Sequence, residues 1–140
     1  MNLNTNIEFI LFVSNQERSK AFYSNLFCLK PSLDVQGMTE FHLSDSVKLG
    51  LMPEEGAAKI IGSALPHPRQ ARGIARCELY LKVENPMEYI NRGIEIGGKL
   101  ISKFEERDWG DKVAYLSDLD GHVIAFAQEI VSSQQKINHE

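Results

Sequence analysis

The stretch Glu8-Phe-Ile-Leu-Phe-Val13-Ser-Asn15 returns in altered form seventy positions later, as Glu78-Leu-Tyr-Leu-Lys-Val83-Glu-Asn85. In each copy a glutamate opens a short apolar run that ends on Val-x-Asn, and a helix-like segment follows. The repeat indicates two half-domains that arose by duplication. If the halves pair about a pseudo-twofold axis, Glu8 and Glu78 are expected to share one cavity.

Length and composition favour one soluble globular domain of ordinary makeup. The chain has 140 residues, of which 43% are apolar and 24% charged. A net charge of −4 without a basic block argues against nucleic acid as a partner, and no apolar run approaches a membrane span of roughly 20 residues. The start lacks a signal-peptide pattern, and Cys28 and Cys77 form no CxxC motif, so we expect a cytoplasmic protein without a disulfide framework.

The first copy continues as a helix followed by short strands. Residues 7–13 favour a buried strand, and Ser14-x-x-Glu17 resembles a capping box that opens a helix. Lys30-Pro31 is expected to end that helix. Strands are then predicted at about 33–36, 39–44 and 47–52.

The second copy repeats this order. A strand at 77–83 precedes Asn85-Pro86, which predicts an N-cap followed by proline at the first helical position. Gly97-Gly98 is expected to stop the helix. Strands are then predicted near 99–105, 112–117 and 122–128. Each copy therefore has the order β-α-β-β-β, which makes the chain an α+β protein.

These segments divide the chain into module one at 7–53, a linker at 54–74, module two at 75–130 and a polar tail at 131–140. Residues 53–74 hold three of the five prolines, and this stretch is interpreted as a crossover or mobile flap. Arg69, Arg72 and Arg76 lie in or beside it, as a solvated loop or as groups that reach an anion.

Two local motifs make the chain resemble a known superfamily. Ser19-Lys-Ala-Phe22-Tyr23-Ser-Asn-Leu26-Phe27 is similar to a Ser-x-x-Phe-Tyr-x-x-x-Leu-Gly helix, and Trp109-Gly110 with Asp118-Leu-Asp-Gly121-His122 is similar to a Trp-Gly … Asp-Pro-Asp-Gly-Asn ending. With the doubled βαβββ order, these resemble the vicinal oxygen chelate superfamily of glyoxalase I, bleomycin resistance proteins and extradiol dioxygenases. Leu119, His122 and Cys28 depart from the pattern without affecting the expected fold.

The resemblance implies a curved mixed sheet with a central cup and with helices outside. Strand alternation then sorts the side chains into two sets. Those expected to face the helices are Phe9, Leu11, Val13, Leu79, Leu81 and Val83. Those expected to line the cup are Glu8, Ile10, Phe12, Glu78, Tyr80 and Lys82. The predicted ligand-binding set is Glu8, Ile10, Phe12, Glu78, Tyr80, Trp109 and Ala125.

Metal-dependent members of the superfamily hold a divalent ion with four cup-facing side chains. The repeat aligns Glu8 and Glu78 with the two first-strand positions, while Ala125 and Gly50 occupy the late-strand positions and carry no donor. Two carboxylates alone hold a divalent ion weakly unless water or substrate completes the shell. No facial triad of two histidines and one carboxylate aligns, which argues against a dioxygenase.

The two acids have three interpretations. Glu8 pairs with a cation such as Lys82 or an arginine; both acids attract a cationic ligand; or one of them, with its pKa raised by the other, acts as a general base. Trp109 and Tyr80 are either a stacking platform for a planar ligand or ordinary rim aromatics. Cys77 is expected to be buried in the core.

The preferred hypothesis is a metal-free small-molecule binding or sequestering protein of the bleomycin-resistance type, without a cofactor and acting as a homodimer. The alternative is a metal-dependent lyase or isomerase with a reduced ligand set, in which Glu8 or Glu78 is the catalytic or metal-binding residue. A family scaffold without a ligand is a third reading. The donorless positions Gly50 and Ala125 favour the first.

Overall fold

The computed structural model of the protein describes residues 6–131, and the expected βαβββ order is confirmed in both halves. The first half contains β1 (Ile7–Val13), α1 (Gln16–Phe27), β2 (Leu33–Val35), β3 (Met38–His42) and β4 (Val47–Pro53). A further helix, α2 (Glu54–Ile61), follows it. The second half contains β5 (Glu78–Lys82), α3 (Pro86–Glu95), β6 (Lys99–Glu106), β7 (Asp111–Ser117) and β8 (Val123–Glu129).

Each half forms its own mixed four-stranded sheet. The strand orders are β1-β4-β3-β2 and β5-β8-β7-β6, and in each sheet the first strand runs parallel to its neighbour. The chain separates into two compact units: unit 1 comprises the described residues through Ala75 together with Leu119–His122, and unit 2 comprises the remaining described residues. No helix among residues 6–131 is long and apolar enough to cross a membrane.

The start of α1 differs from the predicted capping box. Asn15 is the N-cap, and its side chain accepts a hydrogen bond from the Arg18 amide at 3.0 Å. Ser14 is bound elsewhere, since its amide and hydroxyl donate to the two carboxylate oxygens of Asp120 at 3.2 and 2.6 Å. The helix also ends before Pro31, because Cys28 adopts the left-handed conformation (φ 53°) and closes it.

The core of unit 1 lies between α1 and one face of its sheet. The helix packs against β3 and β4. Gln16 marks the contact face, because its side-chain amide donates to the Thr39 hydroxyl at 2.9 Å. The large fully buried side chains of this unit are Tyr23, Phe41, Leu26, Leu49, Leu51 and Val13.

The core of unit 2 lies between α3 and its sheet. The Tyr89 ring stacks on Phe126 with centroids 5.0 Å apart. Gly93 lets the helix approach closely, since a Cβ there would lie 2.3 Å from the Leu116 side chain. Pro86 begins the helix as predicted, whereas the Asn85 side chain makes no capping hydrogen bond.

The linker is ordered rather than a simple flap. Besides α2 it contains two 3-10 helices, Gly62–Ala64 and Pro68–Ala71. The guanidinium of Arg72 donates to both oxygens of the buried Glu54 carboxylate, and this contact holds the pKa of Glu54 below its usual value. His67 Nε2 lies 3.0 Å from Glu55 Oε1. These contacts tie the two ends of the linker together.

Burial is lower than expected at Cys77 and at Phe9, although Phe9 lies on the predicted face of its strand. Cys77 is exposed, because it precedes β5 instead of lying within it. Phe9 shares the sheet face that α1 covers, yet its side chain is 52% exposed because β1 is the edge strand of the sheet. Most of the predicted tail, residues 132–140, lies outside the described residues.

Candidate functional site

The face of each sheet that points away from its helix is called its open face. Residues directly opposite each other in paired strands share a face. In unit 1 the register Ile10–Gly50–Glu40 therefore lies on the open face, opposite the buried Leu49 and Leu51. In unit 2 the register Tyr80–Ala125–Tyr115 lies there, opposite Ile124 and Phe126.

The open face of unit 1 brings Glu8 towards Glu40 across Gly50. A Cβ at Gly50 would lie 2.4 Å from Glu8 Oε2, so only glycine leaves room for the carboxylate at its present position. Lys48, opposite Glu8 in the register, places its ammonium 3.4 Å from Glu40 Oε1. The space above the predicted late-strand ligand position therefore contains the Glu8 side chain.

The surroundings of the Glu8 carboxyl raise its pKa. Burial raises its pKa above the ordinary value, and the neighbouring Glu40 raises it further, while Lys48 lowers it. Oε2 of Glu8 is buried without a hydrogen-bond partner among the described residues. A proton on Glu8 can be shared with Glu40, which removes one of two repelling charges.

The open face of unit 2 has an apolar floor edged by aromatic rings. The buried side chains of Val113, Ala125 and Ala127 form this floor, and Tyr80 and Tyr115 pack against it. Ala125 lies directly between the two tyrosines in the register and supplies no donor. This surface suits the apolar or planar part of a ligand.

A hydrogen-bonded chain closes one end of that floor. The Tyr80 hydroxyl donates to Asp111 Oδ2 at 2.5 Å, and the Trp109 ring N–H donates to the Tyr80 hydroxyl at 2.9 Å. Asp111 is only 5% exposed, and Lys82 Nζ lies 3.7 Å from its other oxygen. Burial and the bond to Asp111 raise the pKa of Tyr80. Trp109 is thus held in place although its side chain is 59% exposed.

Arg107 occupies the β6 side of the same face. Its Nη2 donates to the carbonyls of Lys103 at 2.7 Å and Val113 at 2.9 Å and to the Ser102 hydroxyl at 3.1 Å. Its guanidinium carbon lies 5.2 Å from the centre of the Tyr115 ring. The turn between β6 and β7 therefore supplies Arg107, Trp109 and the adjoining Asp111 to one face.

The predicted site residues fall into two sets, each in its own unit. Glu8, Ile10 and Phe12 lie on the open face of unit 1, and Glu78, Tyr80 and Ala125 lie on that of unit 2, with Trp109 bound to Tyr80. A shared Glu8–Glu78 cavity stays a prediction. Lys82 forms its ion pair with Asp111.

Sequence reasoning missed several polar groups on the two faces: Glu40, Lys48, Arg107, Asp111 and Tyr115. Local signals exist for Arg107 and Asp111, which lie beside the Trp109-Gly110 motif, and for Tyr115, which begins the run that ends at Asp118-Leu-Asp-Gly121-His122.

The donor groups do not fit the four-ligand divalent site that the resemblance implies. Among residues 6–131, no three His, Cys, Asp or Glu side chains are grouped to hold a metal ion. Glu8 and Glu40 share their surroundings with the Lys48 ammonium, which competes with a cation. On the open face of unit 2, Glu78 lies opposite Val123 in the register. Ala125 occupies the late-strand position where a metal ligand would be needed.

A separate groove lies at the N-terminal end of α1. Its cavity has a volume of about 480 Å³, and its lining consists of Asn15, Gln16, Glu17, Asp34, Val35 and Gln36. The polar groups of the groove bind one another: Asn15 caps α1, Gln16 donates to the Val35 carbonyl at 2.8 Å, and Asp34 accepts from Lys20 at 2.9 Å. The groove is therefore interpreted as a structural junction between α1 and the β2–β3 hairpin.

Comparison with known proteins gives one family and many similar structures. A profile of the family described as "Glyoxalase-like domain" matches residues 7–133. No curated protein sequence matches the chain. A glyoxalase-related enzyme from Fulvimarina pelagi has a TM-score of 0.77 at 20% identity, with 92% of this chain and 91% of that one covered.

Two further structures widen the range of described roles. A glyoxalase/bleomycin resistance protein/dioxygenase family enzyme from Burkholderia phytofirmans PsJN has a TM-score of 0.73 at 16% identity, with coverages of 88% and 97%. TnmS3, an antibiotic binding protein from Streptomyces sp. CB03234, has a TM-score of 0.67 at 23% identity, with coverages of 92% and 98%. At these identities the likeness establishes the fold, which enzymes and binding proteins both use.

Proposed function

Because this chain belongs to the glyoxalase-like domain family, we propose that it uses the family fold to bind or sequester a small molecule without a metal ion. The observation that carries the proposal is the apolar floor of unit 2, above which Tyr80 and Trp109 are fixed by hydrogen bonds. Such a surface binds a planar ligand by stacking and burial of apolar area. The antibiotic-binding relative supports a binding role for this fold.

The donor sets support the absence of a metal from the proposed function. The Glu8 carboxylate lies over Gly50, and Ala125 lies between two tyrosines, so neither late-strand position offers a ligand. A metal-dependent lyase or isomerase would need its ion to polarise the substrate oxygen. Within residues 6–131, neither Glu8 nor Glu78 belongs to a group of three side chains that could hold such an ion.

Metal content tests this part of the proposal. We expect protein purified without chelator to contain substoichiometric metal, and we expect Ni²⁺, Zn²⁺ and Mn²⁺ not to raise its melting temperature specifically. The Glu8→Ala and Glu78→Ala variants should behave like the parent in this assay. Stoichiometric metal that disappears in either variant would establish the metal-dependent alternative.

Ligand binding tests the other part. We expect 2-naphthamide, a neutral planar probe, to show saturation-transfer NMR signals with the protein and to lose them with Trp109→Leu. Bleomycin, a cationic glycopeptide, tests the hypothesis that Glu8 and Glu78 attract a cationic ligand. Absence of binding by both compounds would refute the proposed planar or cationic ligand.

We further propose that the protein acts as a homodimer. Ile7 and Phe9 of β1 remain 43% and 52% exposed on the helix-covered side of the sheet, and such side chains gain from a partner surface. Sedimentation equilibrium measures this directly. A monomer at all accessible concentrations would exclude the dimer while leaving ligand binding open.

A further inference from the structure

We infer that the open face of unit 2 recognises its planar ligand through an anionic group, with Arg107 as the residue that pairs with it. This inference rests on the proposed binding function and adds the charge of the ligand. Its basis is the fixed position of Arg107, the absence of an ion pair to it among residues 6–131, and the neighbouring Tyr115 hydroxyl.

The Arg107 side chain is immobilised before any ligand arrives. Three acceptors hold Nη2 at 2.7, 2.9 and 3.1 Å, and the guanidinium lies on the Tyr115 ring. All three acceptors are neutral, so they position the cation without cancelling its charge. A cation that is already ordered loses little entropy when it binds an anion.

Arg107 is also not neutralised by an ion pair within the part of the chain that the structure describes. No carboxylate among residues 6–131 forms an ion pair with it, and its buried Nε has no hydrogen-bond acceptor there. Arg92 offers a contrast within the same unit: it lies 5.0 Å from the Tyr89 ring centre, but Glu88 is 3.6 Å from its Nη1. Arg107 therefore combines stacking with an unneutralised charge, which attracts a carboxylate or similar anion.

Hydrogen-bonding capacity on this face matches an anion as well. The Tyr115 hydroxyl makes no hydrogen bond to the described residues. Burial and the Glu78 charge raise the pKa of Tyr115, although Arg107 lowers it, so the hydroxyl keeps its proton and can donate it. Asp111 repels an anion little, because Lys82 pairs with its carboxylate and the Tyr80 hydroxyl donates a hydrogen bond to it.

The geometry sets the approximate size of the ligand. Tyr80 and Tyr115 flank Ala125 on neighbouring strands, so they are two strand spacings, about 10 Å, apart. An aromatic acid of two fused rings covers the floor between them. The other acids of this face are Glu78, Glu105 and Glu129, and all three are exposed, so water screens their charges. Glu105 also forms an ion pair with Lys103.

Three matched naphthalenes test the inference by calorimetric titration: 2-naphthoate, neutral 2-naphthamide and the cation 2-naphthylmethylammonium. We expect the parent to bind naphthoate about tenfold more tightly than naphthamide, as a charge-assisted hydrogen bond would give. Arg107→Gln should remove this preference, whereas the matched control Arg92→Gln should keep it. Tyr115→Phe, which removes no hydrogen bond to another described residue, should lower naphthoate affinity. This second variant tests the inference if Arg107→Gln does not fold.

The outcomes separate the two proposals. Equal binding of naphthoate and naphthamide, or preference for the ammonium, would overturn the role of Arg107 and leave small-molecule binding intact. Binding of none of the three probes would overturn both. A naphthoate preference that survives in Arg107→Gln and in Tyr115→Phe would place the anion elsewhere and also refute the inference.

Discussion

Replacing Tyr80 by phenylalanine removes one oxygen that bonds both Asp111 and Trp109. The bond to the nearly buried Asp111 carboxylate dominates, because a hydrogen bond to a charged group contributes about 1.5–3 kcal/mol to stability. Lys82 remains 3.7 Å from the carboxylate and offsets part of the loss. The Trp109 N–H is on an exposed side chain, so water replaces its acceptor. We therefore expect Tyr80→Phe to lower the free energy of unfolding by about 1.5–2.5 kcal/mol.

Tyr115→Phe is the matched control for this change. It removes the same atom from the same face, but that hydroxyl makes no hydrogen bond to the described residues. We expect its effect to stay within about 0.5 kcal/mol. Urea denaturation at neutral pH, followed by circular dichroism, measures both values. If the two variants lost the same stability, or if Tyr80→Phe matched the parent, the Tyr80–Asp111 bond would not stabilise this unit.

Two further predictions concern unit 1 and the β6–β7 turn. Glu8→Gln should gain stability relative to the parent as pH rises from 4 to 7.5. Because the pKa of Glu8 is raised in the folded protein, the parent loses stability as pH rises from 4.5 through the pKa of the folded state, whereas glutamine does not titrate. Urea titrations at both pH values measure this, and a pH-independent difference in unfolding free energy would contradict it. Gly121→Ala should destabilise the protein by at least about 1 kcal/mol more than Gly110→Ala. Both glycines have positive φ, but only at Gly121 would the added Cβ meet backbone, 2.8 Å from Gly73 Cα. Equal melting temperatures of the two variants would argue against this close approach.

The order of elements could be predicted from the sequence because its signals are local. Strand alternation, proline at the start of α3 and a break after α1 each depend on a few neighbouring residues. The sequence predicts the N-cap of α1 one residue too early, because Ser14 binds Asp120, 106 positions away. No local pattern contains that contact.

The structure of the linker and that of the site both depend on contacts that a local sequence pattern does not contain. Prolines and glycines indicated a loop, whereas α2 forms after Pro53 and is tied to the linker's end by the Glu54–Arg72 contact. On the open face of unit 2, register decides which side chains meet. Two irregularities in the β6–β7 pairing shift that register, so the meeting of Arg107 with Tyr115 could not be counted from the sequence.

The two units have the same strand order, while their open faces carry different side chains. At equivalent registers, unit 1 has Ile10, Gly50 and Glu40, and unit 2 has Tyr80, Ala125 and Tyr115. In the first, the missing side chain at Gly50 makes room for the Glu8 carboxylate. In the second, the small Ala125 contributes to a floor between two rings. The same loss of a donor thus has two different structural consequences, and only the second produces a flat apolar surface, which is why we assign ligand stacking to unit 2.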